Sequence, residues 1–291
     1  MPPINKIASG DNFKRFPNPS GNSHNFLKDK ITSFQNPQIK RIAELRESKT
    51  RKATGLTLVE GIREVTLAWK AGVEFKEFFI CPEFLEKPFP LPSVPSKGEG
   101  TKIYEVTPEI FSKIAFGERQ EGILGIGAPK VLRWEDLRLP PRSLCVLVEG
   151  IEKPGNLGAI LRTADAAGVD ALLVGGGGTD IYNPNVIRAS LGTVFTVKMI
   201  PTTNEAALEF FRSRKIKIYA AIPGAKTVYT HADFKIPSVL VLGSEDEGLS
   251  DFWKKAADSK IKIPMAGSAD SLNVSASAAV ILFEALRQRS G

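Results

Sequence analysis

The sequence predicts an α/β protein made of two units, of which the second is built on a mostly parallel sheet. Its 291 residues exceed the usual size of one domain and favour about two. Short apolar segments alternate with helical stretches, which is the pattern of α/β folds. After residue 143 the apolar segments are continuous, as in parallel strands covered on both faces. The predicted parts are a tail at 1–30, a small α/β unit at 31–128, a linker at 129–143 and a larger α/β unit at 144–291.

The first 30 residues are rich in Pro, Asn, Ser and Gly and show no apolar period. Such a composition buries too little apolar surface to fold, so we expect a flexible tail. A targeting peptide fits less well, because Arg is scarce and Asp11 and Asp29 are present.

The small unit contains two clear helix starts. Asn36-Pro37 and Thr107-Pro108 each pair a capping residue with a proline suited to the first turn. The first of these helices is expected to end near Glu47, and a third helix at 61–70 to close near Gly72. A Pro-rich loop is expected at 81–100. The predicted strands are 56–59, 75–80, 102–106 and 122–128.

The linker carries prolines at 140 and 141, which stop regular structure. The larger unit follows, with a helix to about Ala167 after its first strand. Helical stretches separate the later strands, and no internal repeat is present. The predicted strands are 144–149, 170–174, 216–222, 239–243 and 260–264.

Composition excludes several classes of protein. No apolar run reaches the roughly 18 residues that would span a membrane, and no secretory signal core is present. Cys81 and Cys145 each lie in an apolar strand-like segment, so we expect buried thiols in a reducing cytoplasm. With His24 and His231 as the only histidines, a zinc site or a Ser-His-Asp triad is not expected.

The chain is basic, with a net charge of +7 and a pI near 9.3. Such a charge suits a polyanion, and most of the excess lies in the N-terminal half. One basic run in the small unit is either a solvated helix face or a phosphate-contact surface, and the run alone favours the solvated face. Its members are Lys40, Arg41, Arg46, Lys49, Arg51 and Lys52.

A first motif lies at 149–168, where a strand leads through a turn containing Gly155 and Gly158 into a helix. A dinucleotide site is disfavoured, because no G-x-G-x-x-G occurs and the next strand ends in glycines rather than in a ribose-binding acid. Asn156 is either a helix cap or a site residue. Arg162 either pairs with Asp165 or acts at a site.

A second motif lies at 239–250, where a buried strand delivers three acids into one turn. Glu245, Asp246 and Glu247 repel one another there unless something uses them. The alternative is a solvated turn in which Ser250 caps the next helix.

A third motif lies at 261–289: a strand, a polar loop at 268–273, and a long helix whose buried face includes Ala278 and Ile281. A polar loop between two apolar elements is a common place for a small-molecule site. Ser271 and Asn273 either cap the helix or present hydrogen-bonding groups to a ligand.

Together the three motifs resemble the SpoU (TrmH) family of RNA ribose methyltransferases, within the SPOUT class. The family pattern N-x-G-x-x-x-R-T-A is met from Asn156 to Ala164, and L-G-x-E-x-x-G-L-S from Leu242 to Ser250. The pattern I-P-M-x-G…S-L-N-V-S is met from Ile263 to Ser275, and 182–190 is also similar. The likeness covers 144 to the end, and 31–128 more loosely resembles the family's RNA-binding domain.

The sequence departs from the family at three positions. Lys153 stands where Asp is frequent, Ser244 replaces Asn, and Asp246 replaces Gly. These departures touch the fit of the substrate rather than the residues expected to be catalytic.

The resemblance implies methyl transfer from S-adenosylmethionine to a ribose 2′-hydroxyl of RNA, without metal. Arg162 would contact the RNA phosphate and help to activate the hydroxyl; because arginine stays protonated, the phosphate must assist. The resemblance also implies a C-terminal trefoil knot and a homodimer. Residues implied as catalytic are Asn156, Arg162, Glu245, Ser271 and Asn273; as cofactor-binding, Leu242, Gly243, Gly248, Ile263, Met265 and Leu272; as RNA-binding, Lys40, Arg41, Lys49, Arg51 and Arg188.

Ribosomal RNA is the favoured substrate, and DNA and membranes are not expected partners. Transfer RNA methylation, or RNA binding without turnover, is the alternative. A nicotinamide oxidoreductase is disfavoured by the missing glycine fingerprint.

Overall fold

The structure, a computed structural model, describes residues 29–86, 100–117 and 120–290. The predicted tail up to residue 28, and most of the predicted loop at 81–100, lie outside the described residues. Among the described helices, none has both the length and the apolar character that crossing a bilayer requires.

In the described part of the N-terminal region, five strands form one sheet in the order β1-β4-β3-β5-β2. Strand β5 runs antiparallel to β2 and β3, and the other pairs are parallel. The strands are β1 (Asp29–Ile31), β2 (Thr57–Glu60), β3 (Glu74–Ile80), β4 (Lys102–Val106) and β5 (Ile123–Ala128). The helices are α1 (Pro37–Leu45), α2 (Ser48–Thr54), α3 (Ile62–Lys70) and α4 (Pro108–Ile114).

Both predicted helix starts are confirmed. The Asn36 side chain accepts a hydrogen bond from the Gln38 backbone N–H at 2.9 Å, and Thr107 caps α4. Two details differ from prediction. Helix α1 ends at Leu45 and α2 follows it, whereas one helix to about Glu47 was expected. Strand β1 pairs with β4 from Asp29 onward, so the predicted tail end at residue 30 is two residues too late.

In the described C-terminal region, seven parallel strands form a second sheet in the order β10-β12-β9-β11-β6-β7-β8. The strands are β6 (Leu144–Glu149), β7 (Ala171–Gly175), β8 (Met199–Pro201), β9 (Lys217–Ala221), β10 (Thr227–Val228), β11 (Ser238–Leu242) and β12 (Ser259–Lys262). The helices are α5 (Pro154–Ala166), α6 (Pro184–Ala189), α7 (Asn204–Ser213), α8 (Asp251–Ala256) and α9 (Val274–Arg289). An α/β fold with a mostly parallel sheet is confirmed; the short edge strands β8 and β10 were not predicted.

Apolar side chains cover both faces of the second sheet. One face packs against α5 and α9, whose Ala278, Ile281 and Ala285 are buried as predicted. The other packs against α7 and α8, where Phe211 and Trp253 are fully buried. Burial on both faces explains why strands β6 and β11 are continuous apolar runs.

Both cysteines are free and buried, as predicted. Burial raises the pKa of Cys145 to about 12 and that of Cys81 to about 11, so neither thiol ionises near neutral pH. The segment predicted as a linker packs against the second unit: Leu137 is buried, and the ring centroids of Trp134 and Phe210 are 4.5 Å apart.

Candidate active site

The candidate site lies at the carboxyl edge of the second sheet. Strands β6, β11 and β12 run parallel, so the three motif loops that follow them emerge at one edge. Leu242 is opposite Val148 in the β11–β6 register, which places the acidic turn beside the first motif.

A cavity of about 550 Å³ opens between the loops after β9, β11 and β12 and the first turns of α9. This volume is typical of a small-molecule site. Glu245, Ser271 and Asn273 line it. The residues implied as cofactor-binding also line it, namely Leu242, Gly243, Gly248, Ile263, Met265 and Leu272.

Two glycines shape the turn after β11. A Cβ on Gly243 would lie 2.1 Å from the carbonyl carbon of Gly248, so only glycine lets the turn fold back this closely. Gly248 has a φ of +68°, in the left-handed region that favours glycine. The backbone N–H groups of Ser244 and Gly248 each donate to the other residue's carbonyl at 3.2 Å. The folded turn forms one wall of the cavity.

Three side chains join the three motifs at the cavity mouth. The Asn156 amide donates to Oε1 of Glu245, and Nδ2 of Asn273 donates to Oδ1 of Asn156 at 3.2 Å. Asn156, Glu245 and Asn273, which the resemblance implies as catalytic, therefore lie together within one chain.

Asn156, Ser271 and Asn273 were each either a helix cap or a site residue, and the structure gives a different answer for each. Lys153, not Asn156, is the N-cap of α5, so the capping interpretation of Asn156 was wrong. Asn273 caps α9, because its Oδ1 accepts from the Ser275 N–H at 2.9 Å, while its amide reaches Asn156. Ser271 is exposed at the cavity and caps no described helix.

Arg162 lies on the exposed side of α5, away from the cavity lining. Among the described residues it makes no hydrogen bond or ion pair, and the alternative pairing with Asp165 is absent. Instead, Asp165 accepts from the Thr196 hydroxyl at 2.7 Å. Arg162 is thus free to contact a molecule outside this chain.

The acidic turn is balanced by nearby cations. Asp246 and Glu247 are exposed, and Lys153, Lys254 and Lys262 line the same cavity. Positive charges that line the same cavity offset part of the repulsion expected among the acids. The family departure at Lys153 therefore adds a positive charge to the cavity mouth.

Glu149 is a supporting residue that the sequence analysis did not single out. It is buried at the end of β6 and accepts from the Ser250 N–H at 2.8 Å, the Ser250 hydroxyl at 2.7 Å and the Asn204 amide at 2.6 Å. The Ser250 hydroxyl, expected to cap α8, serves this contact instead. A carboxylate ending an apolar strand was the available signal, because such a group needs partners when buried.

The residues implied as RNA-binding have different environments. Lys40 and Lys49 are exposed, and the Arg41 guanidinium pairs with Glu77. Arg188 is half-buried on α6, with its guanidinium against Gly117 of the N-terminal region.

Arg51 is the clear exception to the predicted basic surface. It is 5% exposed, and its Nε donates to Oδ2 of Asp180 at 2.9 Å. Its Nη1 donates to the carbonyls of Leu45 and Arg46. A guanidinium enclosed in this way is not on the surface, so Arg51 is withdrawn from the predicted phosphate contacts.

Comparison with known proteins matches two family models to the chain. The SpoU rRNA methylase family matches residues 143–283, and the MRM3-like substrate binding domain matches residues 36–125. The first range contains every residue of the cavity and of the polar cluster at its mouth.

Individual relatives match most of the chain. An uncharacterized tRNA/rRNA methyltransferase of Synechocystis is 30% identical over 89% of this chain and 94% of its own length. The 23S rRNA (uridine(2479)-2′-O)-methyltransferase of Streptomyces viridochromogenes is 34% identical over 65% and 68%. The crystal structure of an AdoMet-bound rRNA methyltransferase from Sinorhizobium meliloti has a TM-score of 0.79 at 28% identity, covering 89% of this chain and 97% of that one. The chain therefore belongs to the SpoU family of rRNA methylases.

Proposed function

We propose that this protein is an RNA methyltransferase that uses S-adenosylmethionine to methylate a ribose 2′-hydroxyl, in ribosomal RNA. The observation that carries the proposal is the hydrogen-bonded set Asn156, Glu245 and Asn273 at the mouth of a 550 Å³ cavity. Its family membership and the 2′-O-methyltransferase among its relatives support the same chemistry.

The cavity fits an amphipathic cofactor such as S-adenosylmethionine. Leu242, Ile263 and Leu272 supply apolar surface, while Glu245 and Ser271 supply polar groups to the lining. An AdoMet-bound rRNA methyltransferase shares the fold. When bound, the cofactor supplies an electrophilic methyl group, and this chain supplies orientation. Gly248 and Met265 complete the proposed cofactor contacts.

Methyl transfer requires the ribose oxygen in line with the methyl group, which is a problem of positioning. Asn156 connects the loops of Glu245 and Asn273, so it fixes the mouth through which the ribose must approach. Ser271 is exposed at that mouth and can donate a hydrogen bond to the RNA. We assign these four side chains to ordering the site.

Arg162 is assigned to the RNA phosphate next to the reacting ribose. An arginine stays protonated, so it aids loss of the hydroxyl proton through the phosphate rather than as the base itself. Because Arg162 does not line the cavity of its own chain, we propose that a homodimer brings it to a site. The exposed side of α9, where Phe283 is 50% exposed, is the proposed dimer contact.

The N-terminal unit, predicted as 31–128 and beginning with β1 in the structure, is assigned to RNA recruitment. It matches a substrate-binding domain, and Lys40 and Lys49 offer exposed positive charge to phosphates. Arg41 retains partial exposure beside Glu77 and borders the same surface. Arg188 lies between the two units and is assigned to RNA that reaches both.

Several further proposals follow from family membership. The methyltransferase domain is proposed to span 144–291 and to carry a trefoil knot at its C-terminal end, with 129–143 as the linker. The protein is proposed to act in the cytoplasm, where ribosomal RNA is modified, with neither DNA nor membranes as partners.

The test incubates the full-length protein with methyl-labelled S-adenosylmethionine and either unmodified ribosomal RNA or unmodified transfer RNA, then analyses the nucleosides. Label in a 2′-O-methyl nucleoside is expected. Arg162→Ala should abolish transfer yet keep the cofactor-induced rise in Tm, because its side chain touches neither cavity nor core. Label only in a methylated base would overturn the proposed regiochemistry. Label confined to transfer RNA would support that alternative, and RNA binding without transfer would support the non-catalytic one.

A further inference from the structure

The Arg51 side chain joins the two sheets rather than facing solvent. It belongs to α2 of the N-terminal unit, and its partner Asp180 lies in the loop after β7 of the second sheet. The side chains of the pair are 4% and 15% exposed. The other end of the guanidinium holds the C-terminal carbonyls of α1 through Leu45 and Arg46. One side chain therefore fixes both α1 and the Asp180 loop.

The loop that receives Arg51 is itself tightly organised. Oδ1 of Asp180 accepts from the Tyr182 N–H at 3.0 Å, and the Thr57 hydroxyl on β2 donates to the Tyr182 carbonyl at 2.6 Å. The Tyr182 hydroxyl donates to the Lys130 carbonyl at 2.9 Å. Contacts from the N-terminal unit and from the segment that follows it thus converge on one turn.

The Asp180 turn is followed by α6, which packs on α5, the helix that carries Asn156. Asn183 caps α6 by accepting from the Asn185 N–H at 2.9 Å. Helix α6 packs on α5 so closely that a Cβ on Gly158 would lie 2.4 Å from the Cβ of Ala189. Asn156, which joins the motif loops, is two residues before Gly158 on α5. A displacement of the Asp180 turn would therefore reach Asn156 through rigid packing.

A buried ion pair is a poor source of stability, because desolvation offsets most of its attraction. Its strict geometry instead favours one relative placement of the two groups that it joins. The pair would be redundant if the two units only needed to adhere, since apolar contacts suffice for that. The relevant property is therefore orientation.

We propose that the Arg51–Asp180 pair is a positioning latch, which sets how RNA held on the N-terminal unit is presented to the active site. This inference rests on the proposed function. RNA bound by the recruitment surface keeps its contacts when the latch is lost, but the target ribose reaches the in-line position less often. Arg51 and Asp180 act through α6 and α5 and touch neither cofactor nor reacting atoms.

The test compares Arg51→Gln, Asp180→Asn and the double variant with the wild type, all as full-length protein. Asp180→Asn keeps an oxygen that can accept from the Tyr182 N–H, so the turn should stay intact. Lys30→Gln is the matched control, because it removes an exposed ion pair, with Glu105, within the N-terminal unit. Single-turnover methylation of in vitro transcribed large-subunit ribosomal RNA is measured at saturating RNA, beside RNA affinity and urea unfolding.

Each single variant should lower the single-turnover rate by about tenfold, since small misplacements at a reacting centre are costly. RNA affinity should stay at the wild-type value, and the double variant should be no slower than either single one. Urea unfolding should remain a single transition, because the apolar core shared by the two units still joins them. Lys30→Gln should behave as the wild type in all three measurements.

Wild-type single-turnover rates in both single variants would overturn the latch. Equal losses of rate and RNA affinity would also overturn it, since they would indicate a direct RNA contact. A wild-type protein that transfers no methyl group would instead contradict the proposed function.

Discussion

The carboxyl edge of the second sheet and the basic run of the N-terminal unit differ in how well their sequences predict their roles. At the sheet edge, each residue implied as cofactor-binding lines one cavity, and Asn156, Glu245 and Asn273 are hydrogen-bonded there. In the basic run, Arg41, Arg46 and Arg51 have partners within the protein. The three lysines of the run are exposed and remain for solvent or RNA.

The difference lies in what each residue type requires of the backbone. A glycine such as Gly243 or Gly248 is tied to local geometry, which sequence spacing records. A positive charge is compatible with solvent, an ion pair or RNA, and its spacing along a helix does not choose among them. Functional roles predicted from glycine-rich turns are therefore more reliable than roles predicted from runs of charged residues.

The largest expected effect is at the tightest turn of the site. Gly243→Ala should lower activity by about 100-fold or more, because its Cβ would collide with the Gly248 backbone and open the cavity wall. Cofactor affinity, measured by titration calorimetry, should fall with it. Gly155→Ala is the matched control, since a Cβ there meets nothing within 4 Å. Equal losses of activity in the two variants would contradict the claim that Gly243, unlike Gly155, is required by the close approach of the backbone.

A smaller effect is expected where a buried carboxylate supports that turn. Glu149→Gln keeps the size of the side chain but replaces an acceptor of the Ser250 contacts with an amide. The free energy of unfolding should fall by about 1–3 kcal/mol, as for buried groups that lose a partner. Urea denaturation measures it. Unchanged stability with unchanged cofactor affinity would mean that the turn does not depend on Glu149.

A still smaller effect is expected on the basic surface. Lys49→Gln should weaken RNA binding modestly and reduce the slope of log affinity against log salt by about 1, as for one phosphate contact. Filter binding across a salt series measures both. The same substitution at Lys102, exposed on β4 outside the run, serves as the control. Equal slopes for both variants would mean that the run has no special role.

The smallest effect concerns Glu60, which is buried on β2. Burial raises the pKa of this carboxyl, although the Phe116 N–H that donates to it at 2.6 Å acts in the opposite direction. The ionised form is thus disfavoured in the folded protein, so Glu60→Gln should raise the free energy of unfolding at neutral pH. The difference in the free energy of unfolding between Glu60→Gln and the wild type should shrink as the pH falls through the raised pKa of Glu60 toward 4.5, because the wild-type carboxyl then becomes protonated. A difference that does not change with pH would contradict this account.

Much of the fold was predictable because its elements carry strong local signals. Strand β6 was predicted residue for residue, since the apolar run 144–148 is uninterrupted and a turn follows Glu149. The helix starts at Asn36 and Thr107 carry both a cap and a proline. Strand β10 has two residues and depends on its neighbour β12 for its conformation, so the sequence alone gave no signal for it.

The site was predictable as a set of motifs but not as a set of contacts. Sequence spacing did not indicate that Asn156 bridges Glu245 and Asn273, because those partners lie 89 and 117 residues away. Burial of Arg51 depends on Asp180, 129 residues later. Long-range pairing of this kind is decided by the fold, so it cannot be predicted from a run of charged residues alone.

The most direct test of the central claim is to map ribose 2′-O-methyl positions in RNA from cells with and without this gene. Loss of one ribosomal RNA position is expected, with restoration by the wild-type gene but not by Gly243→Ala. An unchanged map, or loss of base methylation alone, would contradict the account.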